Sequence, residues 1–345
     1  MCSVLIEEGH ETVPVLRKAD AVLVQTCVFS HSGKEDAIEA IVAAWAGEGN
    51  NPDMKVVVTG CLAKRYRGEI AREIPEVDAV VGIGANASLP QIVAGLFSED
   101  VKTAGYFGKK AELPLGGARV ISTPIHYAWL KIAEGCSNCC SYCAIPAIRG
   151  PLRSRTLQSC VDEAAWLAQQ GVREVVLVAQ DVTAFGDDHG NNEIVPLLDA
   201  LNRVEGLHWI RMLYAYPERI TPELLDAVER NEKVLPYFDI PIQHINDDIL
   251  RSMHRKGDGQ IIRNAIRMIR EKLPDAMLRT SLIAGYPGET EAQFEELCAF
   301  VKEAKFDRLG CFAYSQEEGT EAAGLPNQLP EEVRRHRADV IMELQ

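Results

Sequence analysis

Residues 131–155 read Lys-Ile-Ala-Glu-Gly-Cys-Ser-Asn-Cys-Cys-Ser-Tyr-Cys-Ala-Ile-Pro-Ala-Ile-Arg-Gly-Pro-Leu-Arg-Ser-Arg. Four of the chain's ten cysteines, Cys136, Cys139, Cys140 and Cys143, fall within eight of these residues. Thiols gathered this closely usually bind metal. A zinc ribbon or finger takes two ligand pairs with a longer spacer, because one knuckle fills only two tetrahedral corners. No second knuckle follows here, and the nearest histidine is His126. A bacterial ferredoxin run ends in a cysteine before a proline, which this loop lacks. The triplet Cys136, Cys140 and Cys143 has the spacing C-x3-C-x2-C. Three thiolates can hold three irons of a 4Fe–4S cluster and leave the fourth open to a small molecule. Cys139 is the extra thiol, read as a packing residue.

The chain has 345 residues, enough for two domains with a core each. No apolar run is as long as a membrane span, and no basic-then-apolar leader opens the sequence. The cysteines therefore point to a reducing compartment, the cytoplasm, where thiols bind metal more often than they pair. Net charge is −14, from 50 acidic against 36 basic side chains. That balance disfavours phosphate-backbone binding and suits a basic partner.

Residues 1–9 have the pattern of a helix closed by Gly9, with no start signal before it, as if the chain began inside a fold. Short apolar runs at 21–26, 55–60 and 79–82 alternate with helical patterns at 33–46, 62–74 and 89–97. Alternation of this kind predicts a parallel sheet with ligands at the carboxyl rim of the strands. Cys27 and Cys61 each follow a strand directly and belong on that rim. Residues 98–120 read as a linker. A second alternation places strands at 128–133, 174–179, 208–214, 237–242, 277–284 and 308–314. Helices are expected at 158–170, 193–204, 222–231, 246–272, 290–304 and 330–345. Six strand-helix repeats fall short of the eight of a closed barrel, and the cysteine loop sits at the carboxyl end of the first strand.

With Tyr142 directly before its last cysteine, the loop resembles the radical S-adenosylmethionine (SAM) enzymes, whose signature is C-x3-C-x-aromatic-C. Further segments are similar to one family among them, the methylthiotransferases: Gln25-Thr26-Cys27-Val28-Phe29, Thr59-Gly60-Cys61-Leu62-Ala63 with Arg65-Tyr66, Glu134 to Arg155, Tyr237 to His244, and Gly285 to Thr290. The resemblance implies an α/β protein with an N-terminal doubly wound parallel-sheet domain over 1–115. A partial (βα)6 TIM-like radical SAM barrel follows over 116–345. The family's C-terminal TRAM barrel and first N-terminal cysteine are missing from the sequence, which is the pattern expected of a fragment.

The resemblance also implies two 4Fe–4S clusters. One is on Cys136, Cys140 and Cys143 and cleaves SAM to a radical. The other is on Cys27, Cys61 and the missing cysteine, and carries or donates sulfur. A second SAM supplies the methyl group. A low-potential electron donor and a sulfur donor are required partners. Tyr142 completes the SAM-cluster motif, and Gln180, Gln243 and Arg279, at or near strand ends, are candidates to contact SAM or substrate. Solvated rim residues are an equal reading of these last three. His244 alone reads as structural, and Cys160, Cys298 and Cys311 as packing residues.

Two branches of the family differ in substrate. One modifies tRNA adenosine, the other the β-carbon of an aspartate in small-subunit ribosomal protein twelve. Asp239-Ile240-Pro241-Ile242-Gln243-His244 resembles the ribosomal-protein branch, and the acidic charge agrees with a basic protein substrate and no direct nucleic-acid target. A non-catalytic iron–sulfur electron-transfer protein is the reading from another class.

Overall fold

The computed structural model describes residues 1–27, 31–46, 51, 53–98, 104–106, 115–117 and 119–345. They form two compact units, Met1–Val120 with Ala147–Gly150, and Ile121–Pro146 with Pro151–Gln345.

In the first unit four strands, β1 (Ala21–Thr26), β2 (Lys55–Gly60), β3 (Ala79–Gly82) and β4 (Ala104–Tyr106), pair in parallel in chain order. No reversal of strand order occurs among these described strands. Strands β2 and β3 are apolar at successive positions because both faces of a parallel sheet are covered. Val56, Val57, Val58, Val80 and Val81 are all buried. Leu5 of α1 (Cys2–Glu7) and Leu89, Ile92 and Val93 of α5 (Leu89–Gly95) cover the face bearing Val57 and Val81. Helix α2 (His31–Ala46) packs on β1 and β2.

The helix read over 62–74 is two helices, α3 (Cys61–Arg65) and α4 (Arg67–Glu73), broken at Tyr66, whose φ of −114° and ψ of 32° leave the helical region. The stretch 98–120 read as a linker contains β4, three residues too short to show a period, ordered by the free edge of β3. The rest of that stretch lies mostly outside the described residues, as do Val28 and Phe29.

In the second unit six parallel strands follow one another: β5 (Tyr127–Lys131), β8 (Glu174–Val178), β9 (Trp209–Met212), β10 (Tyr237–Asp239), β11 (Met277–Ala284) and β12 (Arg308–Ala313). They pair as two three-stranded sheets, joined by a parallel bridge between Ile210 and Val234. Helices α7 (Leu157–Gln169), α8 (Ile194–Asn202), α9 (Pro222–Arg230), α11 (Gly259–Lys272), α12 (Glu291–Ala304) and α13 (Glu331–Leu344) accompany the strands. Several begin at a side-chain cap that satisfies free amide groups of the first turn. Thr156, Thr221 and Asp258 cap α7, α9 and α11, and Thr290 with Gln293 forms a capping box on α12. The helical region read over 246–272 breaks after α10 (Asp247–Ser252) and restarts at Asp258.

Strand burial in this unit alternates. On β11, Leu278, Thr280, Leu282 and Ala284 are buried, and Arg279, Ser281 and Ile283 are only partly so. Leu278 and Leu282 share one core with Leu130, Leu177, Ile210 and the helices. The other face therefore forms the inner wall. It carries Trp129, Arg279 and the Arg211–Glu174 pair, with Nε to Oε1 at 2.6 Å. Because the strands are parallel, the loops after β5, β8, β9, β10 and β11 share one rim.

Candidate radical SAM site

The cysteine loop is closed at its base. Short strands β6 (Ala133–Glu134) and β7 (Arg153–Ser154) pair antiparallel across it, and α6 (Ile145–Arg149) lies between them in the chain. Gly135 at φ 75° turns the chain out of β6, a conformation other residues rarely take. Buried Arg155 clamps the stem. Its Nη1 donates to the Lys131 carbonyl at 3.0 Å, its Nη2 to the Ser159 carbonyl at 2.8 Å, and it pairs with Glu163. Ser141 holds the far side. Its amide donates to the Met253 carbonyl at 3.1 Å, its hydroxyl to the Ser252 carbonyl at 2.8 Å, and its carbonyl accepts from Ala322 at 2.9 Å.

Within this frame Cys136 and Cys140 are buried and Cys143 partly so, while Cys139 is exposed. Cys136 Sγ accepts the Asn138 amide at 3.4 Å. Cys140 Sγ has Tyr216 Oη at 3.9 Å and Arg255 Nη1 at 3.8 Å. Burial, then the charge of Cys140 and Cys136, pushes the Cys143 thiol up to about 11 against the pull of the Ile145 amide. Burial likewise raises Cys136, with Asp181 and Cys140 adding to it. The three sulfurs thus share one electrostatic neighbourhood. Among the described residues no three His, Cys, Asp or Glu side chains converge on a single ion position. Ligands to three separate irons of one cluster need no such point. Amide, phenol and guanidinium donors around buried thiols are the environment that thiolate ligands of an iron–sulfur cluster require, so these residues fit that group.

Beyond the loop, the rim holds acceptors without donors. Gln180 Oε1 and both carboxylate oxygens of Glu218 are buried with no hydrogen-bond partner. Burial pushes the carboxyls of Glu218 and Asp181 up. Asp181 accepts from Asn138 Nδ2 at 3.0 Å and Thr183 Oγ1 at 2.6 Å, which ties it to the cysteine loop. A ligand rich in donors, such as the ammonium and ribose hydroxyls of SAM, fits this side of the rim.

Tyr142 is partly buried against the cluster formed by Ile249, Met253, Tyr286, Tyr314 and Ala322. Gln243, at φ 70°, bridges to Leu282 and follows the end of β10. Arg279 is not at a carboxyl end. It is the third residue of β11, and its guanidinium is held 2.5 Å from Asp239 on the inner wall. His244 is fully buried. Its Nδ1 accepts the Asn246 amide at 3.0 Å, and its Nε2 lies 3.4 Å from Glu289. Glu289 also takes the Gly285 amide and Arg337 Nη1, the latter at 2.6 Å, so the segment 285–290 anchors α13.

In the first unit Thr26 and Gly60 are register partners at the ends of β1 and β2, so Cys27 and Cys61 leave adjacent strand ends. A Cβ at Gly60 would lie 2.3 Å from the Thr26 carbonyl oxygen, so only glycine allows this approach. Cys27 is exposed and Cys61 buried. Asp181, Asn138, Tyr216, Glu218 and Arg255 join the site only through the structure. Asp181 sits in a polar segment just past the end of β8, a readable signal, whereas Glu218 lies six residues beyond β9, behind Leu-Tyr-Ala-Tyr-Pro, and carries none. Arg255 carries none, since it reaches Cys140 from the turn after α10.

Family models and relatives bear on this site. Residues 130–301 match the Radical SAM superfamily, and residues 1–82 match the uncharacterized protein family UPF0004. A solved radical S-adenosylmethionine methyltransferase, TsrM from Kitasatospora setae, aligns with TM-score 0.61 at 15% identity, over 86% of this chain and 63% of that one. Fold and loop define a radical SAM enzyme. The ribosomal protein uS12 methylthiotransferase RimO of Clostridioides difficile is 43% identical over all of this chain and 78% of its own length. The RimO of Acetivibrio thermocellus is 44% identical with the same coverage, and that of Geobacter sulfurreducens 43% over 99% of this chain and 76% of its own length. The chain belongs to the RimO family of radical SAM methylthiotransferases. Membership brings a 4Fe–4S cluster and SAM as cofactors.

Proposed function

We propose that this enzyme inserts a methylthio group at the β-carbon of an aspartate in ribosomal protein uS12. Cys136, Cys140 and Cys143 hold the cluster, with Tyr142 beside them, and Gln180 and Glu218 receive donors of SAM. The observation that carries this is the loop itself: three thiols, two buried and one partly so, on one closed loop at the carboxyl end of the first barrel strand, beside unpartnered rim acceptors. When bound, the cluster and SAM supply one-electron cleavage chemistry that activates an unreactive C–H bond. The protein's part is to orient these groups and keep water from them. Gln243 borders the same rim, and Arg279 lies deeper on the inner wall, paired with Asp239.

Cys27 and Cys61 are read as two ligands of a second 4Fe–4S cluster that delivers sulfur, with a low-potential electron donor and a sulfur donor as partners. Residues 1–115 are read as the domain of this second site and 116–345 as the barrel, beside compact units that divide after Val120. No helix among the described residues is long and apolar enough to cross a membrane, and the reaction is assigned to the cytoplasm. Attraction of a chain with net charge −14 to a basic ribosomal protein speeds encounter and weakens as salt rises. The test offers uS12 and tRNA side by side with SAM, reductant and sulfide. Mass analysis showing S and CH2 gained on uS12 is expected, and a modified adenosine beside unmodified uS12 would reverse the substrate assignment.

A further inference from the structure

Arg255 lies in the turn between α10 and α11, remote in sequence from the cysteine loop, yet its guanidinium reaches a ligand sulfur. Nη1 donates to Cys140 Sγ at 3.8 Å, and Nη2 donates to the Pro241 carbonyl at 2.9 Å. The guanidinium carbon lies 4.2 Å from the centroid of the Tyr216 ring, and Tyr216 Oη is 3.9 Å from the same sulfur. The turn is itself bonded to the loop. The Met253 carbonyl accepts the Ser141 amide, and His254 Nδ1 is 3.3 Å from the Cys139 carbonyl. The position of the charge relative to Cys140 is therefore set by backbone bonds. The charged and titratable groups facing Arg255 are Tyr142, Tyr216, Cys140, Cys143 and the carboxyl of Glu218, with Cys140 the one sulfur its guanidinium touches. Cys136 and Cys143 have backbone amides as donors instead, from Asn138 and Ile145.

We propose that Arg255 is a positioning residue that sets the reduction potential of the barrel cluster, by holding a fixed positive charge against Cys140. The inference rests on reading Cys136, Cys140 and Cys143 as the cluster ligands. A guanidinium does not lose its proton at working pH, and in a site of low dielectric its field reaches a neighbouring sulfur with little screening. Adding one electron from a low-potential donor increases the negative charge shared by the ligand sulfurs. Arg255 stabilises that state more than the oxidised one, and no bond to the protein forms or breaks. Net charge and hydrogen bonds to the sulfurs are among the levers that set such potentials. Arg255 raises the potential, bringing reduction within reach of the donor.

The test uses the full chain with Cys27→Ala and Cys61→Ala, so that one cluster remains. The protein is reconstituted anaerobically without SAM and titrated electrochemically while the reduced cluster is followed by electron paramagnetic resonance. In Arg255→Gln, the ratio of reduced to oxidised cluster at a fixed potential is expected to fall about tenfold or more, 59 mV per tenfold for one electron. Arg255→Lys should hold the ratio within about threefold at neutral pH, because the charge is kept. Its ratio should then fall as pH rises through the lysine's pKa, while the parent's falls less. Arg251→Gln removes an exposed arginine paired with Asp248 on α10 and should change nothing. Arg255→Gln with full iron and an unshifted potential overturns the proposal, as does an equal shift in the Lys and Gln variants. Should Arg255→Gln take up no iron, the pH titration of Arg255→Lys decides, and a course parallel to the parent's overturns it. Failure of the ligand reading looks different: the parent itself would lack about four irons per chain, before any potential is measured.

Discussion

Cys27 and Cys61 leave the ends of two neighbouring strands, one exposed and one buried, with a glycine contact holding those ends together. Cys136, Cys140 and Cys143 lie on one loop, closed by β6 and β7 and clamped by Arg155 and Ser141. The rim of the first sheet places single thiols through strand register, so any ligand set there is spread over distant parts of the chain. The barrel loop carries its own set of three and takes its donors from elements around it. A local set survives rearrangement elsewhere, whereas a set spread over strand ends depends on the whole sheet. The sheets differ in the same sense. Both faces of β2 are buried, but β11 keeps one face for the inner wall.

The largest effects should separate the two regions. Cys136→Ala or Cys143→Ala should cut 5′-deoxyadenosine formation by about a hundredfold or more, since losing a direct ligand exceeds the cost of losing its supporting partners. Cys27→Ala or Cys61→Ala should leave SAM cleavage within about twofold and abolish methylthiolated product, because these thiols touch only the second site on this reading. Equal loss of SAM cleavage in both pairs would break the comparison.

A second contrast concerns what holds the barrel rim. Arg337→Leu leaves the buried Glu289 carboxylate without its cation. It should destabilise the protein by about 3 kcal/mol, read from denaturant midpoints. Acid should act at the same point. Burial alone would raise the Glu289 carboxyl, but His244, Arg337 and the Gly285 amide hold it below the ordinary carboxylate range. Its contribution to stability is complete above the unfolded value of about 4.3 and is lost as pH falls from there through the lower folded value. Glu289→Gln should remove that part of the acid dependence in a melting series between pH 5 and the acid limit of folding, about pH 3. The smallest effect is expected at Cys139, whose thiol is exposed. Cys139→Ala should leave iron content unchanged and shift stability by less than about 0.5 kcal/mol.

Much of the site was legible because it is local. The triplet at positions 136, 140 and 143, and the placement of Cys27 and Cys61 directly after apolar runs, are spacings along one chain. The strand-helix alternation is legible for the same reason, since apolar runs report burial on both faces. Strand β4 is not legible because three residues carry no period. The depth of Arg279 in the barrel is not legible, because a pattern locates a strand but not how far along it a residue sits. Helix 62–74 read as continuous because its break at Tyr66 involves neither proline nor glycine.

Sequence alone determined the cysteine triplet, the order of strands and helices, and the resemblance to the methylthiotransferases, all carried by residues close together in the chain. Only the tertiary structure decided which remote groups surround those thiols: Tyr216 from the loop after β9, Arg255 from the turn after α10, and Asp181 and Glu218 with their buried acceptors. The physical reason is that spacing is a property of the chain. The field and hydrogen bonds at a sulfur depend on distances across it, and those are set when the parallel strands bring their carboxyl ends to one rim.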